Sequence, residues 1–164
     1  MILYHRATII FAAAGLYMLS SIAFDKTFIK TEIVFFLGLF GGLVGTAIVK
    51  ALYRKHNLPF WIILIYGMFS GAAIPIFLVV VPNYCLRGNE TFKKELDIVR
   101  TEKKPSGRNR CKVLYAVLIY KDIEKEVLFP CEYENSISNF KKVRLELSEG
   151  FLGFEIIEKE ELVL

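Results

Sequence analysis

In the first half of the chain apolar positions follow one another without interruption, and in the second half they alternate with charged ones. The segment "ATIIFAAAGLYMLSSIAF", residues 7–24, carries no charge. A second uncharged run extends from Ile33 to Val49 and continues past Lys50 to Tyr53. The third, "FWIILIYGMFSGAAIPIFLVVV", covers residues 60–81. At about 1.5 Å per residue, each run matches a hydrocarbon core of roughly 30 Å. Lys50 can snorkel to the headgroups. Buried helices of a water-soluble core rarely show three such uncharged runs in succession. The pattern therefore predicts three transmembrane helices, at about 7–24, 32–53 and 60–81, joined by the short polar links "DKTFIKT" and "RKHNLP". Pro75 is expected to kink the third helix and Pro82 to mark its end.

Beyond the third run the period changes to two. Val143, Leu145 and Leu147 alternate with Lys142, Arg144, Glu146 and Ser148, which predicts a half-buried strand. Glu149-Gly150 reads as a two-residue turn that would set Leu147 against Leu152, Leu145 against Phe154 and Val143 against Ile156. A second hairpin is expected from Cys111–Tyr120 and Glu124–Phe129. A three-residue loop at Tyr120–Asp122 would pair Tyr115 with Val127, Val113 with Phe129, and Cys111 with Cys131. "ELDIVRT", residues 95–101, predicts a first strand, and residues 131–140 predict one or two helical turns. The order β-β-β-α-β-β suits a small antiparallel β domain of OB-like or SH3-like form, over residues 83–164. Residues 1–82 would form the membrane domain.

Composition sharpens this division. The mean hydropathy of +0.43 is high for a water-soluble protein. Arg6, Lys26, Lys30, Lys50, Arg54 and Lys55 outnumber Asp25 and Glu32 in the first half, whereas acids and bases balance in the second. The formal charge of +4 therefore lies between apolar runs, not on a clustered basic surface, which argues against nucleic acid as a partner. Lys50, Arg54 and Lys55 make the second link the more basic one. The positive-inside rule then puts the N-terminus and that link in the cytoplasm, and the C-terminal domain on the extracytoplasmic side. The first run also has features of a signal peptide, a basic start at Arg6 and the small-x-small "SIA" at 21–23. It is longer than a usual signal core and reads as a retained anchor.

The stretch "GLFGGLVG" places Gly38, Gly41, Gly42 and Gly45 within an arc of about 100° on the second helix. Each glycine costs about 1 kcal/mol in a helix interior relative to alanine. In lipid that cost is offset by close backbone approach between helices. Gly67, Ser70 and Gly71 repeat the device on the third helix. These seven residues are the expected helix-packing interface, either within the chain or between copies. Cys111 and Cys131, at the ends of the expected paired strands, are candidates for a disulfide. No Asp, Glu, Arg or His lies in the interior of a span, and ion-coupled transport usually needs ionisable groups at depth. "GMFSG" around Ser70 only approaches a serine-protease motif. No catalytic, cofactor or metal set is visible.

The ending "KKVRLELSEGFLGFEII" resembles the closing hairpin of small, uncharacterised bacterial envelope membrane proteins. In overall architecture the chain is also similar to NfeD-like proteins, whose spans precede an OB-fold that works beside membrane scaffolds. The resemblance implies an inner-membrane location and carries no functional residue across. The expectation is a non-catalytic integral membrane accessory or assembly subunit without a cofactor. It would contact membrane lipids, and would bind protein partners or further copies of itself through glycine-lined helix faces. The alternatives are a component of a transport or channel assembly, and less favourably a membrane enzyme acting on lipid through groups such as Tyr17, Ser20, Ser21, Thr46 or Ser70.

Overall fold

The computed structural model describes residues 2–56, 58–105, 112–130 and 140–163. Its elements are α1 (Ile2–Asp25), α2 (Thr31–Leu52), a 3-10 turn at Arg54–His56, α3 (Phe60–Cys85), and strands β1 (Thr91–Pro105), β2 (Lys112–Tyr120), β3 (Ile123–Phe129), β4 (Lys142–Glu149) and β5 (Glu155–Val163). The contacts divide the chain into two units. One is Met1–Arg87 with Gly150–Phe154, and the other is Gly88–Glu149 with Glu155–Leu164.

In the helical unit α3 packs against both α1 and α2. All three helices are long and apolar enough to cross a membrane. Glu32 in the first turn of α2 and Lys50 in its last complement the helix dipole. Pro82 was expected to end the third helix, but α3 continues to Cys85 with both Pro75 and Pro82 inside it. Each proline removes one backbone donor, and the remaining ladder carries the helix through. The first link, polar by composition, buries Thr27, Phe28 and Ile29. Thr27 turns its hydroxyl back to Ala23 O at 2.7 Å. That frees Ile29 to pack with Ala23 and Val80, bordered by Phe154.

The second unit is a five-stranded antiparallel sheet in the order β3-β2-β1-β4-β5. Its core is the inward set Leu114, Ala116, Leu118, Val127, Phe129, Val143, Leu145, Leu147, Ile156 and Ile157. The first strand is far longer than residues 95–101. It pairs with β4 over Thr91–Asp97 and with β2 from Ile98 onward, with a register shift at Val99. A bulge bends its strand, and here it lets one strand serve both halves of a curled sheet. The curl brings β2 and β5 together although β1 and β4 lie between them in the sheet. Tyr120 Oη donates to Glu155 Oε1 at 3.2 Å, and Lys121 Nζ meets the same oxygen at 2.8 Å.

Both hairpin registers differ from expectation. Tyr120 pairs with Ile123, Tyr115 with Leu128 and Ala116 with Val127. The loop is therefore the two-residue turn Lys121-Asp122, not three residues, and both members have positive φ (50° and 62°). That is the type I′ geometry, which matches strand twist but favours Asn and Gly. Replacing Asp122 with Gly removes the left-handed penalty at one of the two positions. We expect a gain of about 0.5–1 kcal/mol, measured as a raised thermal midpoint. The second hairpin does not turn at Glu149-Gly150. Glu149 pairs with Glu155 and Leu147 with Ile157, so Gly150–Phe154 form a five-residue loop. Cys111, Cys131 and the expected helical turns at 131–140 lie outside the described residues, except for Phe140 at their end.

Candidate functional site

The four glycines of α2 all face α3. A Cβ built on Gly41 would meet Gly71 O at 2.6 Å and press into Pro75. On Gly45 it would meet Gly71 Cα at 2.6 Å and the Gly67 carbonyl. In return, a Cβ on Gly67 would strike the Thr46 backbone, and one on Gly71 would strike Gly41 O and Gly45 Cα. The two backbones therefore touch, with hydrogens where side chains would be. Proline has no N–H, so Pro75 cannot donate to Gly71 O, and that carbonyl is the one that abuts Gly41.

Gly38 and Gly42 sit at the looser margin of this seam. Gly38 has Ile76 Cδ1 at 3.3 Å from its would-be Cβ, and Gly42 has Met68 Sδ at 2.8 Å. Ser70, grouped with Gly67 and Gly71 by spacing, donates to Tyr66 O on its own helix at 2.5 Å. Thr46 and Ser20 do the same, to Gly42 O and Leu16 O. These hydroxyls satisfy themselves locally rather than converging. Tyr17 reaches across from α1 to Phe69 O at 3.1 Å, with its ring 5.0 Å from that of Phe69.

Beside the seam lies a groove of about 460 Å³. Its walls are Ile9 of α1, the Phe40–Leu52 face of α2 with Tyr53 just beyond it, and Ser70, Gly71, Ile74 and Pro75 of α3. Apart from Tyr53 and Ser70 the lining is apolar. Among the described residues no group of three or more His, Cys, Asp or Glu is placed to hold a metal ion.

The spacing of the sequence did not single out Asn83, which is fully buried at the end of α3. Its Oδ1 accepts from Leu152 N at 2.8 Å, its Nδ2 donates to Phe154 O at 3.1 Å, and its own carbonyl accepts from Phe151 N at 3.4 Å. The loop closes on itself through Gly150 N to Phe154 O (3.0 Å) and Gly153 N to Gly150 O (2.8 Å), with Gly153 at φ 80°. A Cβ on Gly150 would run into the Asn83 amide. The available signal was a lone amide closing an apolar helix, but nothing local pairs it with a loop 67 residues further on.

Among the described residues of the sheet unit, shifted titrations are found at the Tyr120–Lys121–Glu155 contact. Its Glu155 carboxylate raises the Lys121 ammonium above its ordinary pKa of 10.5, and burial, then Glu155, raises the Tyr120 phenol above 10.0. Both shifts favour the protonated forms. Their contribution to stability is complete below the ordinary values and is lost as the pH climbs through the raised ones. Neither group titrates near neutrality, so the contact fastens strands and offers no poised acid or base there.

Comparison of the chain with models of protein families, with curated proteins and with solved structures finds no match. The functional reading is therefore carried by the geometry and the chemistry of the surface.

Proposed function

We propose that this chain is a non-catalytic integral membrane subunit, anchored by α1, α2 and α3, that presents its β unit to a partner within a larger membrane assembly. The observation that carries the reading is the outward face of the helices. Phe11, Phe35, Phe36, Phe40, Trp61, Ile65 and Leu78 are all exposed, Phe11 at 77% and Phe40 at 70%. Exposed apolar surface on this scale marks a membrane or protein interface, and helices of this length suit the bilayer.

The glycine seam is occupied within the chain, so partner contact falls to the remaining apolar helix faces and to the outer strands β3 and β5. Two features support a sheet curled towards an OB-like barrel: β1 is shared between both halves, and Phe129 and Pro130 line one depression with Glu160, Glu161 and Leu162. The basic second link, with Lys50, Arg54 and Lys55, favours a cytoplasmic N-terminus and an extracytoplasmic β unit, and the resemblance of the closing hairpin to bacterial envelope proteins implies an inner-membrane setting.

The chain is expected to stay in the membrane pellet through alkaline carbonate washing and to co-purify in mild detergent with a partner of fixed stoichiometry. Release by carbonate would sink the membrane reading. A pure homo-oligomer that conducts ions in liposomes would replace the accessory role with the channel alternative.

A further inference from the structure

The loop Gly150–Phe154 is uncharged, and its two central side chains are turned outward. Phe151 is 64% exposed and Leu152 is 46% exposed, whereas Phe154 packs inward against the Ala23–Ile29–Val80 cluster. The backbone N–H groups of Phe151 and Leu152 are both held by Asn83, so these side chains project beside the last turn of α3. Two internal hydrogen bonds and the left-handed Gly153 fix the loop's shape. The exposure is thus a feature of an ordered loop.

Depth follows from the helix. Trp61, 70% exposed, stands at the start of α3, and tryptophan favours the membrane–water boundary. A hydrocarbon core of roughly 30 Å takes about 20 helical residues, which places the opposite boundary near residue 81, half a turn before Asn83. Arg87 lies one turn beyond, donating to Tyr84 O at 3.2 Å with its guanidinium over the Tyr84 ring. That is a headgroup-level arrangement, with an aromatic ring and a cation on the outer side of the loop.

Resting on the reading of α1–α3 as membrane spans, we propose that the β4–β5 loop is a lipid-binding wedge whose Phe151 and Leu152 enter the boundary between headgroups and acyl chains beside α3. The occupant of this surface is lipid. Interfacial elements bury their apolar side chains about 5–10 Å into that boundary, a depth that a rigid two-residue tip can reach.

The chain has a single tryptophan, which separates this proposal from the reading beneath it. Wild-type protein and the double variant W61F/F151W are reconstituted into phosphatidylcholine vesicles containing lipid brominated at acyl carbons near the headgroup. Phe151 is exposed, so tryptophan at 151 is expected to leave the thermal midpoint unchanged, which is measured first. Trp61 is expected to lose emission to the brominated lipid. F151W is expected to lose emission to a similar extent and to emit at shorter wavelength than tryptophan in water. Quenching of Trp61 with none at F151W, and water-like emission there, overturns the wedge and leaves the spans standing. The same outcome is expected if Phe151 instead seats in a protein partner that the vesicles lack. Absence of quenching in both proteins overturns the membrane reading and the wedge together.

Discussion

Gly45→Ala is expected to destabilise the helical unit by up to about 2 kcal/mol, while Gly38→Ala leaves it unchanged or slightly more stable. Both substitutions carry the same intrinsic gain of about 1 kcal/mol from replacing glycine in a helix. They differ in what the new methyl meets. At Gly45 it meets backbone, Gly71 Cα and the Gly67 carbonyl, which cannot move without shifting α3. At Gly38 it meets Ile76 Cδ1, the far end of a flexible side chain, at 3.3 Å. Overpacking against immovable atoms costs about 1–3 kcal/mol, occasionally more. Gly41, Gly67 and Gly71 should behave like Gly45. Gly42 should fall between, because Met68 Sδ can swing away but Met68 Cα at 3.3 Å cannot. Thermal unfolding in mild detergent, followed by circular dichroism across this series, gives the order directly. Equal stability of G45A and G38A would show that the backbones of α2 and α3 do not touch. A series that changed oligomeric state without changing monomer stability would move the glycine seam from within the chain to between copies.

The helices were legible because length and absence of charge are local properties, and the glycine spacing is local too, its four positions on α2 lying against α3. Spacing could not rank the glycines. Gly38 and Gly45 occupy one stripe, yet only the second lies where the backbones cross. Nor could it separate Ser70 from its neighbours, because a serine on a small-residue stripe can bond to its own helix. The sheet shows a similar boundary. Alternation located β3 and β4, but register depends on loop conformation. Lys121 and Asp122 adopt left-handed backbone that their residue types only weakly announce. Glu149-Gly150 carries a hairpin signal that a tertiary contact overrides, since Gly150 is needed to admit the Asn83 side chain rather than to make a turn. The missing information was long-range for the glycine seam and the Asn83 loop, and a matter of local conformation for Ser70 and the Lys121-Asp122 turn.

The clasp at Asn83 supplies the second large effect. The loop offers one donor, Leu152 N–H, and one acceptor, Phe154 C=O, and a single buried side-chain amide satisfies both. Asn83→Leu fills the space but leaves the Leu152 donor unpaired, at a cost of about 1–3 kcal/mol for a buried group, and takes from Phe154 C=O one of its two donors, Gly150 N–H remaining. Asn83→Asp keeps the acceptor and replaces the donor with a buried carboxylate oxygen aimed at a carbonyl. It should be no better tolerated than leucine. The predicted loss is therefore on the order of 1–3 kcal/mol in either variant. It should be read as faster hydrogen exchange at Leu152 and Gly153, with exchange along the α2–α3 seam unchanged. Gly150 provides an independent check, because the three atoms nearest to a methyl there all belong to the Asn83 amide. Gly150→Ala should be strongly destabilising in the wild-type background and much less so beside Asn83→Ala, where the amide is gone. Such a coupling identifies direct contact between the two positions. Additive costs in that cycle would mean that the loop holds its five-residue form without α3, and that the shifted register of β4 against β5 has another cause.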